Sequence, residues 1–293
     1  MRSSCMKLAT TSFIFWAAET ESNDCTIDGV AYWVTLWFEL PQGDQSMNHL
    51  ILGAGEVGTA IGTVLQMMAN TQDVRYHDPL KSQHCEADDK ERTLHVCFPY
   101  SASFVEDVDR YFEEFNPRAV IIHSTVKIGT TRKLSCFKKA VYSPIRGRHP
   151  NLAPDIRRFV KYYAHESVPA EALFLDAFCD LTLKRFPDVE SLEAAKLLDT
   201  TYYGHCLAWM RGVKKFCDQH NLDFHSVYTE YGTTYNVGYM DLSLWRPTYT
   251  YKPGPIGGHC VVPNLDLLDV PELTEFIKQS TEDPFHLKEE FHE

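Results

Sequence analysis

From residue 47 onward the apolar positions follow two alternating rhythms. Compact apolar runs of strand length fall at 49–52, 74–77, 94–98, 119–123, 139–142 and 159–164. Between several of them the apolar residues recur every three or four positions, which predicts helices over 57–68, 102–115 and 171–183. Strands alternating with helices predict an α/β fold, a parallel sheet covered on both faces. A longer helix is expected over 191–220, where Leu197, Leu198, Leu207, Met210 and Val213 keep helical spacing. Asn221 and Leu222 break it, and a shorter helix over 224–231 follows. Residues 232–268, rich in Tyr, Gly and Pro, read as an ordered loop that carries function, and the polar tail holds a helical stretch at 272–278. The expected organisation is a sheet domain over 47–188 and a helical central region over 189–293.

Residues 1–46 fit neither rhythm. Arg2 and Lys7 precede an apolar stretch over 8–18 that weakly imitates a secretory signal, and a second apolar patch covers 30–40. Met47 stands directly before the first strand, so the segment reads as an upstream extension without a catalytic role, with a signal peptide as the other reading. The chain has 293 residues, 44% hydrophobic and 23% charged, which is the globular range. Its net charge of -12 argues against a nucleic-acid partner, whose backbone calls for basic patches. An anionic small substrate would need a local basic cluster. Nine cysteines are scattered without a CxxC pair, which reads as reduced cytoplasmic thiols and not as a disulfide frame or metal site. No uncharged apolar run reaches the roughly 18 residues of a membrane helix.

The first strand runs straight into Gly-Ala-Gly-Glu-Val-Gly at 53–58, and a helix follows. GxGxxG in that context is the Rossmann dinucleotide fingerprint. Gly53 allows the tight turn, Gly55 lets backbone approach a pyrophosphate, and Gly58 lets helix and strand pack closely. Glu56 and Val57 open the helix, whose amino end favours phosphate. Asp78 ends the second strand twenty residues after Gly58, where a carboxylate binds ribose hydroxyls and repels a 2′-phosphate. The expected cofactor is therefore NAD, with a Rossmann domain that has lost its cofactor as the bland alternative.

Three further segments point to a family. Residues 121–131 read IIHSTVKIGTT and resemble the (E)STVxxGTT segment of the UDP-glucose/GDP-mannose dehydrogenases. Residues 196–202, KLLDTTY, resemble their KLxxNTY helix, and residues 253–263, PGPIGGHCVVP, resemble their PGPGxGGHCIPxD loop. The resemblance covers about residues 48–268 in family order. It implies an NAD-dependent oxidation of a nucleotide-sugar alcohol to a carboxylate in two steps. It makes Cys260 the nucleophile that traps the aldehyde, Lys196 its electrostatic or acid–base partner, and Thr125 a cofactor-side or water-positioning hydroxyl. Pro99 and Ser124 join Thr125 as candidate cofactor contacts, and Thr200, Gly258, His259 and Asn264 as candidate substrate contacts. It also implies a homodimer built on the long helix. A cysteine near a lysine has a chemical reason to be nucleophilic, and an ammonium stabilises a developing alkoxide.

The departures from the family pattern are specific. Its SPE segment is Ser143-Pro144-Ile145 here, its KLxxN asparagine is Thr200, and the aspartate after its cysteine loop is Asn264. Family members continue into a further nucleotide-gripping domain beyond the length of this chain. Arg146 and Arg148, with Arg157, Arg158 and Lys161, form a basic stretch that either meets an anionic substrate or is a solvated loop. His205 and Cys206 point to different helix faces and read as packing. The tyrosines at 228, 231, 235, 239, 249 and 251 either line a pocket or stiffen an irregular segment. Three functions stay open: an NAD-dependent dehydrogenase related to this family, a non-catalytic NAD-binding protein or subunit, and a two-electron dehydrogenase of a small hydroxy acid.

Overall fold

The chain builds seven strands: β1 (Met47–Leu52), β2 (Thr71–His77), β3 (Arg92–Val96), β4 (Ala119–Ile122), β5 (Ala140–Tyr142), β6 (Lys161–His165) and β7 (Leu183–Arg185). In this computed structural model, which describes residues 47–86, 91–256 and 261–287, they form one sheet in the order β2-β1-β3-β4-β5-β6-β7. The expectations for residues 1–46 lie outside the described residues. Strand residues alternate between two cores. Leu50 and Leu52 enter one with Leu94, Val96, Val120 and Ile122, while Ile51 enters the other with Ile121 and Val141. Burial on both faces is why the strands read as continuous apolar runs.

Helices cover both faces, as a doubly wound Rossmann sheet demands. On the Ile51 face lie α1 (Glu56–Gln66), α3 (Leu152–Arg158) and α4 (Val168–Ala177). On the other lie α2 (Phe104–Phe115) and the first turn of α5 (Val189–Gln219). Asp188 caps α5 by accepting the Ser191 N–H at 2.7 Å, which starts the helix two residues earlier than the periodicity placed it. Further along, α5 carries a smaller core of Ala208, Ile256, Val261, Leu265 and Ile277 with α7 (Val262–Leu268) and α8 (Pro271–Glu282). Among the described residues no helix is long and apolar enough to cross a membrane.

Several elements differ from expectation. The sheet is not wholly parallel, because β6 runs antiparallel to β5. The connection from Tyr142 to Lys161 stays at the carboxyl end of the sheet instead of crossing a face, and such a link can join only antiparallel neighbours. It thereby delivers residues 143–160, including the unexpected α3, to the end of the sheet where the glycine turn lies. The helix expected over 171–183 runs from Val168 to Ala177, with Pro169 in its first turn, and Leu183 belongs to β7.

The region over 232–268 is more helical than its composition suggested. A π-helical turn (His225–Glu230) leads into α6 (Tyr231–Gly238), and α7 occupies Val262–Leu268. Thr233 and Thr234 tolerate the helix because their hydroxyls bond back to the Thr229 and Glu230 carbonyls. Asn236 then brackets the backbone of Arg246, donating to its carbonyl and accepting its N–H, both at 2.9 Å, so the following loop folds back on α6.

Candidate functional site

From β1 the chain runs to β2 on one side, then returns across the sheet to β3 on the other. This switch point leaves a crevice beyond the carboxyl ends of β1 and β3. The glycine turn sits on its rim. Gly53 has φ +92°, a conformation that favours glycine. A Cβ on Gly58 would lie 1.8 Å from the Gly53 carbonyl oxygen, so no other residue fits there. A Cβ on Gly55 would meet nothing within 4 Å, leaving open space where backbone faces the crevice. No side chain caps α1 at Gly55, so its first-turn N–H groups remain for an anion. This is a cradle into which a dinucleotide pyrophosphate fits.

Asp78 is buried beside the turn. One carboxylate oxygen accepts the Ala54 N–H at 2.8 Å and the other accepts the Leu80 N–H at 3.1 Å. The carboxylate thus braces the glycine turn. Lys81, which the sequence reading passed over, donates to the Ala54 carbonyl at 2.5 Å. The signal for it was a lysine three residues past the carboxylate, across Pro79 in a 3₁₀ turn.

The crevice continues into a cleft of about 240 Å³ whose lining includes Phe98, Thr125, Ile145, His149, Lys196 and Asn264. Val57, Pro99 and Ser124 belong to its wall. The Ser124 hydroxyl donates to the Phe98 carbonyl at 2.6 Å and ties the ends of β3 and β4 together. His149 pairs with Glu56 at the start of α1, which latches the 143–160 segment over the glycine turn. The structure therefore brings Thr125, Lys196 and Asn264 to one cleft. Gly258, His259 and Cys260 lie outside the described residues.

The position of Lys196 follows from a residue the sequence reading missed. Glu193, one helical turn earlier, is fully buried. Its carboxylate accepts the Gly129 N–H at 2.5 Å, the Thr131 N–H at 2.9 Å and the Thr131 hydroxyl at 2.7 Å. Burial raises its pKa, against the pull of those hydrogen bonds. The contact fixes the rotation of α5 against the loop that carries Thr125. Two of the departures from the family pattern also meet. The Asn264 amide donates to the Thr200 hydroxyl at 3.3 Å, and that hydroxyl bonds back to the Lys196 and Leu197 carbonyls.

The basic stretch does not point into the cleft. Arg148 pairs with Asp155 at 3.3 Å, and Arg146 lies over the Phe159 and Tyr162 rings, while Gly147 and His149 face the cleft instead. His205 packs against α8, donating from Nε2 to the Leu273 carbonyl at 2.7 Å and stacking on Phe276. Farther along α5 is a second cavity of about 470 Å³ with Tyr203, Met210, Arg211, Tyr249 and Lys252 in its wall. The Nε and Nη2 atoms of Arg211 are buried there without a hydrogen-bond partner. Tyr249 lines that cavity, whereas Tyr228, Tyr235 and Tyr251 brace the loop through Tyr249, Arg246 and His286.

Beneath the cleft a buried polar row crosses the sheet on the Ile51 face. His49 and His95 are 3.0 Å apart, His95 and His123 3.1 Å, and His123 Nδ1 lies 2.9 Å from the Ser143 carbonyl. Lys161 Nζ is 3.1 Å from the same carbonyl and 3.4 Å from His123 Nδ1. Burial lowers His49 to about 4, holds His95 and His123 well below their usual range, and brings Lys161 down to about 7.

The seven-stranded, doubly wound sheet with its glycine turn defines the fold as Rossmann-like. No protein-family profile matches the sequence, and no curated protein matches it. Among solved structures it is similar to a UDP-D-ManNAc dehydrogenase from Pyrococcus horikoshii, with TM-score 0.65, 16% identity, and coverage of 80% of this chain and 68% of that one. It is also similar to a UDP-glucose dehydrogenase from Pyrobaculum islandicum, with TM-score 0.60, 14% identity, and coverage of 83% and 69%. A 3-hydroxyisobutyrate dehydrogenase from Mycobacterium tuberculosis matches with TM-score 0.56, 13% identity, and coverage of 80% and 92%. The chain thus spans about two thirds of the nucleotide-sugar dehydrogenase chains and nearly all of the hydroxyacid dehydrogenase.

Replacing Glu193 by Ala orphans two backbone N–H groups and a hydroxyl, and is expected to lower stability by about 2–4 kcal/mol. Urea unfolding checks it, and a loss within 0.5 kcal/mol, roughly the scale of surface changes, contradicts the anchoring role. The histidine row predicts acid sensitivity. The imidazoles stay neutral in the folded chain but take up protons in the unfolded chain below 6.5, so the unfolded state binds more protons and stability falls as pH drops. For His49, with its pKa near 4, the loss reaches about 3 kcal/mol by pH 4. Thermal unfolding of a His49→Gln chain between those pH values is expected to show a shallower decline than the unsubstituted chain.

Proposed function

We propose that this chain binds NAD at the glycine turn and oxidises an alcohol of a nucleotide sugar or a similar substrate. The observation that carries the reading is the convergence of Lys196, Thr125 and Asn264 on a cleft that continues the dinucleotide crevice. A nicotinamide ring bound there supplies the electron acceptor. Lys196 would stabilise the alkoxide as the substrate hydroxyl loses its proton. Thr125 would position the substrate oxygen or a water. Cys260 is assigned the nucleophile on its sequence motif, where its thiolate would add to the aldehyde carbon. Ile145 and Asn264 stand where carboxylates would activate water, so thioester hydrolysis lacks a general base worth roughly 10²–10⁴-fold. Arg211 and Lys252 in the second cavity offer positive charge to an anionic part of the substrate.

A two-electron dehydrogenase of a small hydroxy acid is the second reading. The small cleft and the near-complete span of the hydroxyisobutyrate dehydrogenase chain favour it. Following NADH absorbance with NAD, UDP- and GDP-sugars and small hydroxy acids separates the two. A burst of two NADH per active site with a trapped acyl-enzyme, or one NADH per nucleotide sugar with release of the aldehyde, supports the first reading, and steady turnover of hydroxy acids alone supports the second. Turnover of none, with NAD still bound, leaves a non-catalytic NAD-binding protein.

Asp78 predicts tighter binding of NAD than NADP in calorimetric titration. Lys81, which bonds the same turn, is a cation that would favour the opposite order, and equal affinities or a preference for NADP overturn the assignment of Asp78. We also propose a homodimer through α5. Leu198, Tyr202, Trp209 and Phe216 form one exposed stripe along that helix, an apolar face unusual for solvent. Light scattering is expected to give twice the chain mass, reduced to one chain mass by Trp209→Asp.

A further inference from the structure

The chemistry proposed above makes no use of the row of His49, His95, His123 and Lys161. All four residues are at most 5% exposed. The row runs diagonally from half-buried Thr71, at the start of β2, to His123, which with Cys97 lies in the floor of the cleft.

The contacts admit two complete hydrogen-bond states. In one, Thr71 donates to His49 Nε2, His49 Nδ1 to His95 Nε2, His95 Nδ1 to His123 Nε2, and His123 Nδ1 to the Ser143 carbonyl. In the other, the Lys161 ammonium donates to both His123 Nδ1 and the Ser143 carbonyl, and each imidazole donates from its opposite nitrogen until His49 Nε2 donates to Thr71. The two states differ only in which nitrogen of each ring carries its proton. A proton added at the lysine end can therefore appear at the threonine end without any heavy atom moving.

The groups facing the row leave its charge uncompensated. The Cys97 thiol and the Ser143 carbonyl face Lys161, and the Phe178 ring covers its ammonium at 5.2 Å. Phe178 also stands edge-on to His95 and His123. Arg92, itself paired with Asp73, faces His49. Among the described residues no salt bridge reaches Lys161. Burial brings Lys161 to about 7, so its charged and neutral forms coexist near neutrality. A simple structural ladder of neutral imidazoles would have no need of an ammonium at its end.

We propose that this row holds one exchangeable proton whose occupancy follows the charge of the nicotinamide ring bound in the cleft above it. The inference rests on the NAD reading of that cleft. The oxidised ring carries a positive charge and the reduced ring does not. Oxidising an alcohol to a carbonyl removes two hydrogens: one passes to the cofactor with both electrons, and the other leaves as a proton. The row takes up one proton as the ring loses its charge, and returns it to solvent through His49 and Thr71 when oxidised cofactor rebinds. The net balance is one proton released per alcohol oxidised.

Proton linkage of binding tests this without a substrate. The full chain is titrated calorimetrically with NAD⁺ and with NADH, from about pH 6 to about pH 8.5, in buffers of different ionisation enthalpy. A unit charge in a protein-like dielectric changes proton affinity by about tenfold. NAD⁺ binding is therefore expected to release part of a proton near pH 7 and to tighten about tenfold relative to NADH as pH rises. Lys161→Met is expected to remove that difference while leaving NADH binding intact. Should that variant fail to fold, the unsubstituted chain still decides. Identical pH profiles for the two nucleotides, or a difference that persists in Lys161→Met, overturn the inference alone. Failure of both nucleotides to bind overturns the NAD reading and the inference with it.

Discussion

The buried carboxylate of Glu193 is the contact on which the cleft depends. It joins the two parts of the molecule that the proposed chemistry needs together: the sheet, with its glycine turn and the loop after β4, and the long helix with Lys196. Three donors from residues 129 and 131 converge on it, so α5 can dock in only one rotation. Lys196 lies one turn further along the same face. Leaving those donors unpaired in the core would cost more than any single apolar contact in the interface supplies.

Around that anchor the site has been rebuilt as a unit. Thr200 and Asn264, which depart from the resembled family pattern at separate places in the sequence, are hydrogen-bonded partners between α5 and α7. Ile145 belongs to the apolar core on the α1 face while also lining the cleft. The cleft wall is thus less polar than the family pattern implies. Fold and cradle are those of a Rossmann dinucleotide-binding domain, and the altered wall bears on the oxidation proposed for it.

The buried histidines add a second constraint on the same sheet. Strand positions 49 and 95 are fully buried, where a central parallel strand ordinarily carries valine or isoleucine. Instead they hold imidazoles that bond one another and end at a lysine. Desolvation keeps each neutral, so the row destabilises the fold in acid. That cost is borne directly beneath the cleft, where a mobile proton has a use.

Much of the fold was legible in the sequence because its signals are local. Strand–glycine–helix at 49–68 fixes a crossover unit, Gly53 and Gly58 are required by the turn itself, and the long helix announces itself by spacing. Thr125, Lys196 and Asn264 came into view as candidates only through the resemblance of their segments to family motifs. What remained hidden depends on residues far apart in the chain. Glu193 looks like any helix glutamate until the 129–131 loop closes over it, and Arg148 looks available until Asp155 takes it. The antiparallel β6 was invisible because strand direction depends on which end of the sheet a connection follows, which no run of apolar residues records. The histidines were read as ordinary strand positions, since their bonding spans three strands and exists only once register is set. Periodicity and backbone conformation determined the elements; partner choice between distant polar groups was left to the tertiary structure, because hydrogen bonds and desolvation act on whatever the fold brings within about 3 Å.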